Sequence, residues 1–323
     1  MQARKRCQST FQQARSQHPR MPRPQSLVWA CIICFRARKQ DLSALLTVLR
    51  DQVDKILILD NSPQWSVDLK QVADGQVTYM PMVHNLGTAG AMNVAWEQAT
   101  FAGVDAMISF DQDSVPAAGL VARLRASLHA LEQSGAQVAA IGPGRLDPRS
   151  RKEMRVRLPV KLWRRHQSLS AAPIVEVDHL ITSGCLISAE MYNKVGPFRE
   201  DLFLDYVDIE WSLRARAAGL LVCLDTSVTM EHTIGDHAIS VGGRTLLVHQ
   251  PFRSYLLIRN HLLLWRSSAV GWGWLVSDLC LIVLKSLLLL VVRPRRLERL
   301  KWISKAIWHG LHARGGSPFT LVE

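Results

Sequence analysis

The stretch Asp105-Ala106-Met107-Ile108-Ser109-Phe110-Asp111-Gln112-Asp113-Ser114 decides the fold. Its apolar run reads as a buried strand, and two acids follow where that strand ends. Ligands of open α/β sheets gather off the carboxyl ends of the strands. Two carboxylates one residue apart at such an end can hold a hard divalent cation. Mg²⁺ prefers a few carboxylates plus phosphate oxygens to an all-protein cage. Acidic loop pairs are common, so the weight of this one comes from its surroundings.

Working outward from it, strand and helix patterns alternate. Upstream lie a strand at Val28–Phe35, helical spacing over Leu42–Val53, and a strand at Lys55–Leu59 closing in Asp60-Asn61-Ser62. A third strand at Val77–Met82 and a helix at Thr88–Phe101, opened by a Gly-containing turn, follow. Downstream come a helix at Leu120–Ser134 and a strand at Ala136–Ile141. Such alternation predicts an α/β fold, a mostly parallel sheet with helices on both faces. Between Arg145 and Arg165 the pattern stops. Nine Lys/Arg face only Asp147 and Glu153, and Pro148 and Pro159 interrupt. This is a loop, either a solvated surface or a contact for phosphate or anionic lipid. Strands resume at Val175–Ile181 and Gly184–Ser188. A helix begun by acids spans Phe203–Ala218, and a short strand covers Leu220–Leu224. Three regions result: a basic extension (1–26), an α/β domain (27–250) and a helical, apolar and basic tail (251–323).

The net charge of +12 is unevenly spread. Arg4, Lys5, Arg6, Arg15, Arg20 and Arg23 stand in the first 26 residues with no acid. That extension reads as disordered; it is either Arg-rich like a transit peptide or lies upstream of a start at Met21, and it has no apolar core of a secretory signal. The rest of the excess lies in the loop and the tail, without a helix built to read a groove, which argues against nucleic acid. Six scattered Cys in apolar surroundings suit buried thiols in a reducing compartment. Cys31 and Cys34 are three apart in a strand, so they point to opposite faces and do not pair as metal ligands.

Four clusters carry chemistry together. Asp60-Asn61-Ser62 follows a strand. His84-Asn85-Leu86-Gly87, with Ala89-Gly90 and Asn93, opens a helix. Asp111 and Asp113 end a strand. Phe203-Leu204-Asp205-Tyr206-Val207-Asp208-Ile209-Glu210-Trp211, with Arg214, starts another helix, and His232 lies beyond it. Their order and spacing resemble the inverting family-two glycosyltransferases of the GT-A fold, over about Val28 to His261, and within them the bacterial rhamnosyltransferases that use dTDP-L-rhamnose. The resemblance implies transfer of a single L-rhamnose from dTDP-L-rhamnose, with inversion, to a glycan acceptor that is lipid-linked and destined for cell-surface polysaccharide. It makes Asp60 a reader of the base and Asp111 a contact to the ribose or nucleotide. It makes Asp113 and His232 holders of Mg²⁺ or Mn²⁺, and Asp208 the general base. Asn85, Gly87, Asn93 and Arg259 fall on its nucleotide-sugar side, and Gly184, Asp205 and Glu210 on its acceptor side. The family's acidic pair reads Val207-Asp208 here, so the base position is kept while the preceding acid is missing. Gln250-Pro251-Phe252-Arg253-Ser254 lacks the Trp of processive synthases, which favours one transfer over polymerisation. The alternatives are another nucleotide sugar, or an inactive GT-A domain serving as a glycan-binding or assembly subunit.

In the tail, Trp274–Val292 is long enough to span a bilayer. It contains Asp278 and Lys285 on one helical face. Thirteen Leu/Ile/Val between Leu275 and Val292 contribute roughly −4 to −8 kcal/mol to insertion, and the two charges cost roughly +5 to +7. The terms nearly cancel. With Arg293, Arg295 and Arg296 adjacent, the expectation is a peripheral helix on the inner face of the cell membrane, a buried helix or a span being the alternatives.

Overall fold

The computed structural model describes residues 26–62, 67–147, 152–153, 174–231, 237–241, 244–248, 251–292 and 295–318. The basic extension up to residue 25, most of the Arg145–Arg165 loop and His232 lie outside the described residues.

The amino-terminal half alternates as the sequence predicts: β1 (Val28–Cys34), α1 (Lys39–Leu49), β2 (Lys55–Asp60), β3 (Val77–Pro81), α2 (Gly87–Ala102), β4 (Ala106–Asp111), α3 (Leu120–Gln133) and β5 (Val138–Asp147). Then come β6 (Cys185–Ser188), α4 (Val207–Ala217) and β7 (Leu221–Glu231). In the main sheet these strands stand in the order β3-β2-β1-β4-β6-β5-β7. β3, β2, β1 and β4 run parallel, β6 is antiparallel to both β4 and β5, and β7 is parallel to β5. The strand order therefore reverses at β1, between β2 and β4. A crevice at the carboxyl ends opens at such a switch point.

β1 shows why the sheet needs helices on both faces. Trp29 and Cys31 join one apolar core, with Trp96 of α2 and Trp211 of α4. Val28, Ala30, Ile32 and Cys34 join the other, with Leu42 and Leu45 of α1 and Leu124 of α3. A strand buried on both sides reads as a continuous apolar run. Cys31 and Cys34 accordingly lie in different cores, free and buried. Burial pushes both thiols up.

Three boundaries move. β5 runs on to Asp147, so Arg145 lies in a strand and not in the loop. The segment expected as a strand at Val175–Ile181 is extended only over Ile174–Glu176, antiparallel to β7. The helix expected from Phe203 begins at Val207, because Phe203 (φ 67°) and Tyr206 (φ 70°) take left-handed backbone.

The tail folds as α5 (Pro251–Leu264), α6 (Trp272–Val292) and α7 (Arg296–Leu311). It packs onto the α/β domain. Asn260 Nδ2 donates to the carbonyls of Leu202 (2.8 Å) and Asp205 (2.6 Å), fastening α5 to the entry of α4. Tyr255 of α5 meets His309 of α7 in a 2.7 Å hydrogen bond.

Candidate active site

Asp111 closes β4 at the switch point, and Asp113 follows, exposed, in the turn. The loop that precedes β6 is fastened to this strand end. Ser109 Oγ donates to Thr182 O (2.6 Å), Gly184 N donates to Ser109 O (2.7 Å), and Asp111 N reaches Ser183 Oγ (3.5 Å). The same loop holds Asp208. Thr182 N donates to Asp208 Oδ2 at 3.0 Å, and Ile209 N donates to Oδ1 at 2.8 Å. Two carboxylates from distant parts of the chain thus share one edge of the crevice.

Among the described residues no cation donates a hydrogen bond to the Asp208 carboxylate. Burial, and then the charge of Asp113, pushes the Asp111 carboxyl up to about 6, against the pull of Arg253. Burial also raises Asp208 to about 6; the amides of Ile209 and Thr182 oppose the rise, and the charges of Asp111 and Asp205 add to it. Acids held near neutrality by desolvation and by each other are suited to proton transfer at physiological pH. Asp205 sits behind them, its carboxyl raised by burial. Its Oδ1 accepts from Arg253 Nε at 3.3 Å, and its buried Oδ2 has no hydrogen-bond partner among the described residues.

Arg253, from the first turn of α5, therefore lies between the tail and the acids, within reach of the fields of both Asp111 and Asp205. Arg145 of β5 is a second cation, 8% exposed, and burial depresses its pKa while Asp208 opposes the shift. The sequence pattern hid Arg145 inside a basic loop; only the continuation of β5 brings it to the acids. Phe35 and Arg36 were also missed. They follow β1 at the switch point, exposed, with the Arg36 guanidinium 5.3 Å from the Phe35 ring. Phe35 N donates to Gln112 Oε1 (2.7 Å) and Arg36 N to Ser62 Oγ (2.7 Å), so this turn is tied to both neighbouring strand ends. The positive φ of Arg36 (52°) was not readable from the sequence.

Other expected site residues are engaged by the protein itself. Asp60 is fully buried. Its Oδ1 accepts from Ser62 N and Oγ, and its Oδ2 accepts from the Tyr79 hydroxyl at 2.6 Å, so the carboxylate expected to read a base closes a turn. The amides before α2 are taken: Leu86 N by Asn61 Oδ1, Gly87 N by Asn85 Oδ1, and Ala89 N by Phe203 O. Gly87 is needed for this chain's own approach, since a Cβ there would meet Phe203 O at 2.1 Å in addition to the strain of φ 67°. Gly184 (φ 81°) likewise makes room for Pro143, 2.9 Å from where its Cβ would be. Asn93 donates to Phe198 O and Glu200 Oε1 and accepts from Phe198 N and Tyr192 Oη, which uses the whole amide. Glu210 is 2% exposed and bidentate to Arg214 (3.1 and 3.0 Å), a pair made within α4. Arg259, fully buried, donates to the carbonyls of Gly316 and Leu202.

Among the described residues no three His, Cys, Asp or Glu side chains gather into a metal cage. The donor set fits a cation shared with a diphosphate, which takes one or two carboxylates and completes its shell from phosphate oxygens and water. Asp113 is exposed for that role, with Asp111 beside it. A cavity of about 860 Å³ lies at the opposite end of the sheet. Its acids Asp54 and Asp105 accept from Val28 N and Leu27 N and serve the strand starts.

No family model matches the chain. A dTDP-rhamnosyl transferase of Shigella flexneri, RfbF, is 27% identical over 282 residues, which are 85% of this chain and 92% of the relative. Among solved structures, GalNAc-T7 with UDP, GalNAc and Mn²⁺ superposes with a TM-score of 0.53 at 12% identity, over 91% of this chain and 59% of that one. TarS of S. aureus gives 0.57 at 11% identity, over 89% and 49%, so this chain spans only about half the length of that protein. Residues 1–349 of TarS, with UDP-GlcNAc, give 0.51 over 89% of this chain and 81% of that one. The fold of this chain is that of the GT-A glycosyltransferases, and along most of its length its sequence is similar to a bacterial dTDP-rhamnosyl transferase.

Proposed function

We propose that this protein is a bacterial rhamnosyltransferase that moves one L-rhamnose from dTDP-L-rhamnose to a glycan acceptor, lipid-linked and at the cytoplasmic face of the membrane, with inversion. The observation that carries the reading is the meeting of Asp208 with Asp111 at the switch point, both raised to about 6. The named relative supports the donor.

In this reading the nucleotide lies at the Phe35–Arg36 turn, where an exposed ring beside a guanidinium suits a base and its phosphates. The diphosphate lies toward Asp111, Asp113 and Arg253. Asp113, with Asp111, would hold a Mg²⁺ or Mn²⁺, which when bound neutralises charge on the departing diphosphate. Asp208 accepts the proton of the acceptor hydroxyl. As that O–H bond breaks, a bond forms from the oxygen to the anomeric carbon on the face opposite the leaving group. The bond from that carbon to the diphosphate oxygen breaks, and the electron pair leaves with the nucleoside diphosphate. A base with a pKa near working pH is suited to this step. Thr182 N and Ile209 N orient the Asp208 carboxylate, and Oδ1, with one donor among the described residues, keeps a lone pair for the incoming proton.

The test is a donor panel with purified protein and Mg²⁺ or Mn²⁺, scoring nucleoside diphosphate release and sugar transfer. Release from dTDP-L-rhamnose above UDP-hexoses is the expected result. Preference for another donor overturns the substrate, and no release from any donor, with retained glycan binding, indicates a binding subunit.

A further inference from the structure

The last two helices invert the usual arrangement of a soluble protein. α6 is long and apolar enough to cross a membrane by length and composition, with a mean hydropathy of 2.2 over Trp272–Val291. Its outward stripe is Val276, Val283, Leu284, Leu287 and Val291, with Leu284 65% exposed. No charged residue interrupts that stripe. Both charges of the helix face inward. Asp278 Oδ2 accepts from the Tyr206 hydroxyl (2.5 Å) and lies 2.9 Å from His261 Nδ1. Lys285 lies near Asp205 and Arg253, its pKa lowered by burial. α7 adds exposed apolar residues, Leu297, Leu300, Ile307 and Leu311, at helical spacing, Leu297 by 82%, beside exposed charges such as Lys301.

An uncharged outward face of this extent marks a contact surface, and its charge surroundings select the partner. After residue 250 the chain has eleven Lys/Arg against Asp278, Glu298 and Glu323. Arg266 precedes α6, Arg295 and Arg296 follow it, and Lys301 lies on α7, all exposed. A second copy would bring the same positive charge to the contact. An anionic surface with an apolar interior satisfies both the stripe and its basic border.

We propose that α6 and α7 dock the protein on an anionic lipid bilayer, with α6 lying in the headgroup plane and not crossing it. To cross, α6 would have to leave Tyr206 and His261 and carry Asp278 and Lys285 into hydrocarbon, where unpaired charge is costly. Lying flat, it keeps those bonds and buries only the uncharged stripe. This inference stands on the surface alone and does not depend on which sugar is transferred. If both hold, Asp205 and Arg253, which Lys285 approaches, form the side of the active site nearest the bilayer, so a lipid-linked acceptor enters from there.

The test is flotation of the full chain with vesicles of phosphatidylcholine, with and without about a third phosphatidylglycerol. Binding to the anionic vesicles that high salt or carbonate reverses is expected. Leu284→Glu with Leu287→Glu should cut the bound fraction at least about tenfold. The circular dichroism melt should not change, because both side chains are exposed. Lys301→Ser with Lys305→Ser should reduce binding about tenfold on anionic vesicles only. Absence of flotation, release by detergent alone, or unchanged binding of the leucine variant each overturns the proposal. A salt-resistant dimer that the leucine variant dissolves, without flotation, assigns the face to a second copy instead.

Discussion

The two sides of the crevice differ in how they treat polar side chains. On the β2–α2 side, Asp60, Asn61, Asn85 and Asn93 direct their hydrogen bonds to the chain itself. On the β4–α4 side, the half-buried Asp111 and Asp208 have carboxyls pushed up to about 6, and the Asp205 carboxylate keeps a buried oxygen unpartnered among the described residues. Both sides read as ligand-binding in the sequence. Native proteins satisfy buried polar groups, so those left at odds with their surroundings mark chemistry. Under the proposed function the first side is scaffold and the second is the reacting edge.

The sharpest way to break this contrast is Asp208→Asn, which keeps the shape and removes the proton acceptor. Turnover should fall about 10²–10⁴-fold with little change in donor KM, measured by nucleoside diphosphate release. A variant that keeps near-full turnover would move the base to another acid. Next is Glu210→Ala, only two residues on. It leaves Arg214 without its pair and should cost about 3–5 kcal/mol of stability, read from denaturant unfolding. Turnover of the folded fraction should stay within a few-fold of wild type; a specific loss of turnover at full stability would return Glu210 to the acceptor site.

Asn93→Ala removes four hydrogen bonds between α2 and the Tyr192–Glu200 segment. It should destabilise by about 1–3 kcal/mol without changing donor KM at temperatures where the protein is folded. The pH dependence sharpens the other side. Asp208 must be ionised to act, so kcat should fall about tenfold per unit below pH 6 and level off above it. Because its folded pKa is raised from 3.8 to about 6, its contribution to stability is full below 3.8 and is lost as pH rises through 6. Coupling to Asp111 makes the observed value belong to the pair. The smallest effect is expected for Asp60→Asn. It weakens the turn by about 1 kcal/mol and leaves donor affinity unmoved; a large rise in donor KM would restore Asp60 as the reader of the base.

Much of this was legible. Apolar runs buried on both faces identified β1, β2 and β4, because a parallel strand between two helical layers has no polar side. Asp111 was singled out by the strand that precedes it and Asp208 by the family resemblance, and the structure brings the two to one edge of the crevice. Arg145 was not, because a strand that continues into a basic segment has lost its apolar signal. Phe35 and Arg36 follow a strand without a motif, and their place is set by the hydrogen bonds their amides donate to Gln112 and Ser62, distant in sequence. Glu210 and Asp208 look alike as acids in a first helical turn, and only packing separates the one paired with Arg214 from the one facing the crevice.

By itself the sequence determined the alternation of strands and helices, the carboxylates at the strand end and the apolar length of α6, since periodicity and composition are local properties. The tertiary structure decided which polar groups are already satisfied and which face of α6 carries its charges. Insertion energies nearly cancelled while Asp278 and Lys285 were counted as free charges. Once Tyr206, His261 and Asp205 are seen to receive them, the outward face has no charge left. Hydrogen-bond satisfaction depends on partners up to 107 residues away, as from Asn93 to Glu200, and no local pattern contains it.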